Sequence, residues 1–383
     1  MKKTVSLSLF FSLISSQTFA TKARMEALGQ DGLRGSQYLH DSRNIFRNPG
    51  LLSTIKNSVV TEWGDFGAGS PLPEGGFFAS TDSFNYGLYL GADHRTPALK
   101  EFVNNQALSY TADFTPQNNS YRPGNQLDFF FAGGSTIAWG IRGNYSSGED
   151  ENQKEKTQII GLGFGLILEG FQTYLNLDLV DEREDLTVPA NSKEYAGNLG
   201  LQIGGSYQID SLTLFLDILK QGADYSESSF RGRNAAETVM ATLGLAHKQQ
   251  ISTVAFVFGA VDYRHQKWEN ENNLGAIATQ SWKRTDNDLI LTAGFETPAT
   301  DWLTWRGSFS QSVFVNKTKI AGTSQIPAIV NNKSFTTSNS TEVAAGASLT
   351  FGKLVIDGTL SGTSASKLNF DEVLSQVAIT YMF

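Results

Sequence analysis

The 383-residue chain contains no cysteine, which excludes disulfide frameworks, thiolate metal ligands, a cysteine nucleophile and a cysteine-linked lipid anchor. Only four histidines occur: His40, His94, His247 and His265. They are scattered, and none has a second His four residues on or a convincing metal spacing. His247 and His265 fall near strand ends, where an interfacial His reads as a polar edge residue rather than a base. No motif calls for a Ser-His or Asp-His constellation. The expectation is therefore a protein that is not an enzyme and holds no cofactor or metal. Proline is scarce, at nine residues, and no Pro/Ser-rich linker divides the chain. A basic excess is also missing: the formal net charge is −8, which argues against nucleic acid as a partner.

Long hydrophobic runs are missing as well. The run LSLFFSLIS, behind Met1-Lys2-Lys3, is too short to cross a bilayer as a helix. With its positive start and Thr18-Phe19-Ala20 after it, residues 1–20 read as a secretory signal. Loss of Lys2 and Lys3 with that leader makes the mature chain more acidic still.

Glycine (37) and phenylalanine (26) are abundant, and so is alternation. From residue 135 onward, apolar residues recur with a period of two, the mark of strands with one apolar face. Ile137, Trp139, Ile141 and Tyr145 share one parity, while Ala138, Arg142 and Asn144 share the other. Leu289, Leu291 and Phe295 oppose Asp288, Thr292 and Glu296. Leu303, Trp305, Phe309 and Val313 oppose Thr304, Arg306, Ser308 and Ser310. One face is continuously apolar and the other small, polar or charged. Tight links near 133–134, 169–170, 210, 249–250, 299–300 and 352 alternate with long polar ones at 92–125, 146–155, 181–193, 226–234, 269–280, 318–335 and 363–372.

Short turns on one side and long loops on the other are what an antiparallel transmembrane barrel shows. In hydrocarbon every backbone group must be paired, so only a closed sheet survives there, with lipid outside and water inside. The competing fold is a soluble sandwich or barrel whose apolar face points into a core. Counting from Phe84 gives 14 strands. The segments SVVTEWGDF at 58–66 and GGFFAST at 75–81 bring the count to 16, the preferred number. At either size the lumen is wider than side chains can fill. Trp139, Tyr145, Tyr207, Trp302, Trp305 and Tyr381 suit an interfacial girdle.

The chain ends LSQVAITYMF. Val377, Ile379, Tyr381 and Phe383 share one parity to the last residue, where soluble chains usually fray. This end resembles the C-terminal assembly signal of Gram-negative outer-membrane barrels. The resemblance implies that barrel-assembly machinery reads this strand during biogenesis, that the strand then closes the sheet against the first one, and that the protein resides in the outer membrane of a Gram-negative bacterium.

Residues 21–54 do not alternate. They could contain one short helix with Asp41 or Ser42 as its N-cap, and they end in a turn at Asn48-Pro49-Gly50. The stretch resembles the segment before the first strand in the long-chain fatty-acid channel family, through Arg24, Leu28, Gly29, Asp41, Asn44, Phe46, Asn48, Pro49 and Leu51. Gly50 stands where that family usually has Ala. The resemblance implies a small hatch inside the barrel (candidates Arg24, Arg34, Arg43, Phe46, Arg47 and Pro49), against the alternative of a flexible periplasmic leader. The division is thus a leader at 1–20, a hatch or leader at 21–54 and a barrel at 55–383.

Alternation projects Asp128, Arg142, Asp178, Asp217, Arg264, Asp288, Glu296, Arg306, Glu342 and Asp357 into the lumen. Carboxylates outnumber arginines, so an open pore should favour cations mildly; alternatively the charges pair with one another and with the hatch. GLGFGL at 161–166 puts Gly161, Gly163 and Gly165 on one face, as a smooth wall or a site of close hatch packing. The expected function is a porin-like channel passing small solutes through a polar, mildly acidic lumen. The alternatives are a transporter of hydrophobic compounds, or a surface-recognition barrel with no through-path. Expected partners are outer-membrane lipid, the assembly machinery, small solutes or a hydrophobic ligand, with a homo-oligomer as an option.

Overall fold

A computed structural model describes residues 21–55, 57–63, 73–92, 126–150, 155–185, 192–227, 232–273, 279–313, 317–323, 333–335, 341–362 and 376–383. The segments expected as a leader (1–20) and as long loops (92–125 and 363–372) lie, apart from Ala92, outside the described residues. Strands β1 (Ser58–Trp63), β2 (Glu74–Ser80), β3 (Phe84–Leu90) and β4 (Leu127–Gly133) are short; β5 (Ala138–Asp150), β6 (Glu155–Leu168) and β7 (Phe171–Asp185) are longer. The eighth strand runs in two pieces, Lys193–Gly197 and Gly200–Ile209, both held between β7 and β9 (Leu212–Glu227). Next come β10 (Gly232–Gln250), β11 (Phe256–Asn273) and β12 (Thr279–Pro298). Then follow β13 (Leu303–Val313 with Lys317–Thr323), β14 (Lys333–Phe335 with Thr341–Phe351), β15 (Leu354–Gly362) and β16 (Gln376–Met382).

Sixteen antiparallel strands result, and the last pairs with the first: Ser58 faces Met382 and Trp63 faces Val377. That pairing satisfies both edges of the sheet, which is the physical requirement for a wall in lipid. It also accounts for the aromatic end of the chain. Ala378 and Thr380 are buried inside, while Tyr381 and Phe383 stand on the outer wall.

Leu214, Leu243, Val261, Leu291, Trp305 and Phe309, from five neighbouring strands, all lie exposed on the outside. An apolar belt of this extent on a closed sheet has acyl chains as its solvent. The stacked-sheet alternative is excluded, because these side chains do not meet in a core. Trp139, Tyr145, Tyr207, Trp302, Trp305 and Tyr381 are on this outer wall too. Turns on one side are tight. Gly134, Gly170 and Gly352 adopt positive φ, as does Asp210 at 53° in the link between the eighth strand and β9.

Two expectations are corrected. Five of the seven segments expected as long loops are partly strand. The β9–β10 ladder runs without a break from Leu212/His247 to Glu227/Gly232, and β11–β12 pairs out to Asn273/Thr279. Beyond the bilayer both faces of a hairpin meet water, so the pattern turns polar while hydrogen bonding continues. The inner face is also not uniformly small and polar. Phe78, Phe130, Phe215, Phe256 and Phe258, and Tyr89 at the far end of β3, are buried inward, because something packs on them there.

Candidate functional site: the hatch and the wall that holds it

That something is residues 21–54. Three short helical turns form where one was expected: α1 (Lys22–Ala27) and two 3₁₀ turns, Ser42–Phe46 and Pro49–Thr54. Each is capped by its own sequence. Thr21 accepts from Arg24 N at 3.2 Å, Asp41 from Arg43 N at 2.8 Å and Asn48 from Gly50 N at 3.1 Å, with Pro49 opening the last turn. Asn44 binds the intervening chain, accepting from Ser36 N at 2.7 Å and donating to the Leu39 carbonyl at 2.8 Å.

The segment meets the wall through two knots of buried charge. In the first, Arg24 reaches Glu296 at 2.7 Å and Asp41 at 2.8 Å. Arg306 joins the same Glu296 at 3.1 Å and Asp357 at 2.7 Å, and donates to Ser348. In the second, Arg43 lies between Glu74 at 3.0 Å, Glu62 at 3.6 Å and the Tyr89 hydroxyl at 3.0 Å, and Lys22 adds a bond to Glu74 at 2.8 Å. Burial works against the charge of Arg24 and Arg43, but their carboxylate neighbours more than offset it, so both guanidinium pKa values are raised.

Apolar contacts complete the seal. Phe46 sits edge-on to Tyr89 and Phe130, with centroids 5.1 and 5.4 Å away, under the Arg43 guanidinium at 4.4 Å. Met25, Leu28 and Leu39 pack on Phe256 and Phe258, and Tyr38 stacks on Phe215 at 5.8 Å. Gln37 donates to Tyr174, which donates to Asp217. Gly140 and Gly165 are cross-strand partners, and the Pro49–Gly50 backbone rests on them. A Cβ on either would come within 2.6 to 2.7 Å of Gly50 N. Of the GLGFGL glycines, Gly165 therefore serves hatch packing, while Gly161 and Gly163 make room for Asn144 and Asn176 of the wall.

Among the lumen candidates, Glu296, Arg306 and Asp357 hold the first knot. Asp128 lies 3.5 Å from Arg142, which donates to the Phe46 carbonyl. Asp217 is bonded by Tyr174 and by Gln202 at 2.8 Å, and Asp178 by Gln221 at 2.9 Å. Arg264 and Asp288 are register partners in the outer half, and Glu342 is exposed near the outer end of β14. Of the carboxylates that suggested a cation preference, Glu296 and Asp357 bind the hatch directly and Asp217 does so through Tyr174 and Gln37, while Asp178 is bonded within the wall. Arg34 and Arg47 make no ion pair among the described residues. Arg34 lines a small pocket with Leu33, Arg142, Asn176, Asp178 and Gln202, and the Arg47 carbonyl accepts from Asn176 at 3.0 Å. Sequence reasoning missed Glu62, Glu74, Tyr89, Tyr174 and Lys22. Glu62 shares parity with Val60 in its strand, which was the available clue. His265 bonds Asn287 at 2.8 Å, His94 lies outside the described residues, and no group of three metal-ligating side chains occurs among the described residues.

Burial pushes the Asp41 carboxyl up to about 7, against the pull of Arg24 and of the Arg43 backbone. A released hatch would return it to about 3.9. Between those values the docked state holds a proton that the released state lacks. Docking therefore strengthens as pH falls through that window and weakens as it rises. Asp41→Asn keeps the cap and should flatten the pH dependence of hatch protection from protease between pH 4 and 7 (about one proton's worth). Identical profiles for the two chains would assign the slope to other groups.

No family model and no curated protein matches the chain. Among solved structures, the toluene transporter TodX of Pseudomonas putida aligns with a TM-score of 0.37 at 11% identity, over 94% of this chain and 96% of that one. CymD, a monoaromatic hydrocarbon channel, aligns at 0.38 and 11%, over 95% and 98%. OmpT, an outer membrane protein of Vibrio cholerae, aligns at 0.35 and 10%, over 85% and 96%. What this chain is follows from its own geometry: a closed sixteen-strand antiparallel barrel with a lipid-facing belt, its lumen occupied by its own N-terminal segment.

Proposed function

We propose that the protein is an outer-membrane channel of a Gram-negative bacterium, exported by the signal at 1–20, whose resting lumen is closed by residues 21–54 and opens when that segment moves. The observation that supports this is the pairing of Arg24 and Arg43 with wall carboxylates on strands far apart in sequence, Glu296 and Glu74. A permanent filler needs only apolar packing, whereas charged side chains regain water when the segment moves. The cargo is a small solute that crosses the polar vestibule. A second reading, hydrophobic cargo, draws on the inward Phe78, Phe130, Phe215, Phe256 and Phe258, which would line the path once the hatch leaves. Barrel-assembly machinery is the partner proposed for the terminal strand.

Planar-bilayer recording tests the reading. The mature chain should be nearly silent, and deletion of residues 21–54 should give long-lived openings. If the deleted barrel, folded by heat-modifiability, is also silent, the channel reading fails and the surface-recognition barrel takes its place. Faster uptake of an aromatic hydrocarbon than of a neutral sugar by the deleted barrel in vesicles would select hydrophobic cargo.

A further inference from the structure

Around α1, Asp41, Glu296 and Asp357 pair directly with Arg24 and Arg306, all five side chains being at 4% exposure or less. Arg43 also acts on Asp41 and Lys248 on Glu296, whereas Asp357 shares its guanidinium, Arg306, with Glu296. The second knot, Lys22 and Arg43 against Glu62 and Glu74, is even. Lys248, the next cation, lies over the Phe256 ring at 4.5 Å and forms no ion pair with the three carboxylates among the described residues. Beside Asp357 sits Thr21. It is fully buried, and its hydroxyl donates to Asp357 Oδ2 at 3.3 Å. Asp357 Oδ1 is occupied by Arg306 and Ser348, whereas Oδ2 has only that hydroxyl among the described residues. The next residue donates its backbone N–H to Glu62 Oε2 at 2.9 Å. The position directly after Thr18-Phe19-Ala20 is therefore inside the barrel, flanked by two carboxylates.

We propose that cleavage of the leader gives Asp357 a cation of its own: the new α-ammonium of Thr21 pairs with Asp357 and locks the hatch, so that the lumen closes fully only in the processed chain. Water adds to the Ala20 carbonyl and the C–N bond breaks. Ala20 leaves as a carboxylate, and the Thr21 amine takes up a proton. An α-amino group, with an ordinary pKa of about 7.7 to 8.0, is held protonated by a carboxylate neighbour. In the precursor the same nitrogen is a neutral amide with one hydrogen. The inference rests on the hatch-closed channel above and on cleavage at that bond.

The test compares residues 21–383 with the same chain preceded by Gly-Ser, both refolded in detergent, with every side chain of the knot unchanged. Two readouts are followed by mass spectrometry: trypsin cleavage after Lys22 and Arg24, and acylation of the N-terminal amine by an N-hydroxysuccinimide ester. The extended chain should be cut roughly tenfold faster or more, as for loss of one charge-assisted hydrogen bond from a carboxylate that keeps Arg306. Its amine should also react about tenfold faster, as an exposed amine does beside a paired one. Asp357→Asn should abolish the difference between the two chains. Equal cleavage and equal labelling of the two chains would overturn the proposal. The channel reading would survive that outcome, since it stands or falls on the conductance of the barrel lacking residues 21–54.

Discussion

Replacing Arg43 with methionine should release the hatch. The guanidinium uses four donors' worth of contacts: Nε to the Gly32 carbonyl at 3.1 Å, Nη1 to Glu74 and Tyr89 at 3.0 Å each, and Nη2 to the Leu33 carbonyl at 3.2 Å. Methionine retains much of the volume over the Phe46 ring but leaves Glu62 and Glu74 buried together with Lys22 alone. Removing one partner of such a knot costs about 3 to 5 kcal/mol, which is a hundredfold or greater loss of the docked population. The expected result is rapid trypsin cleavage after Lys22 and Arg24 and a matching rise in open time in planar bilayers. Arg43→Lys should fall between, since a compact ammonium cannot replace a planar fork. Glu62→Gln with Glu74→Gln in the methionine background should recover protection, because the stranded charges are then gone. Full protection of Arg43→Met would show that packing alone holds the segment.

The second large effect belongs to Gly165→Val. The 3₁₀ turn opened by Pro49 approaches β5 and β6 so closely that a Cβ at 165 would sit 2.7 Å from Gly50 N. The turn cannot retreat, because Leu51 and Leu52 are buried against Val60, Phe78 and Phe130 on its other side. Overpacking of this kind typically costs about 1 to 3 kcal/mol, and the two γ carbons of valine put it at the upper end. We expect a cleavable, partly conducting protein whose barrel remains resistant to heat and detergent. Gly143→Ala is the control: a Cβ there meets nothing within 4 Å, and protection should be unchanged. Should Gly165→Val behave like Gly143→Ala, the hatch is not seated on the glycine pair.

The two predictions draw on different layers of information. Gly165 could be placed on the inner face from the spacing of Gly161, Gly163 and Gly165, because alternation is a local property of an extended chain. Arg43 could be named a hatch residue, but its partners could not be read. Glu62 and Glu74 lie on strands whose short apolar runs and glycines barely register as strands. The Arg24–Glu296 bond spans 272 positions, and no local rule connects such residues.

By itself the sequence determined a closed antiparallel barrel, the parity of its inner and outer faces, and the closing role of the strand ending at Phe383. The first two follow from a two-residue period and from the need to pair every backbone group in lipid; the third came from the resemblance of that end to the assembly signal of outer-membrane barrels. Only the tertiary structure decided which charges are engaged, that aromatic rings turn inward at the hatch, and how far the hairpins rise. Ion pairs and ring contacts depend on distances set when remote strands close into one ring, and a ladder in water continues without leaving an apolar trace.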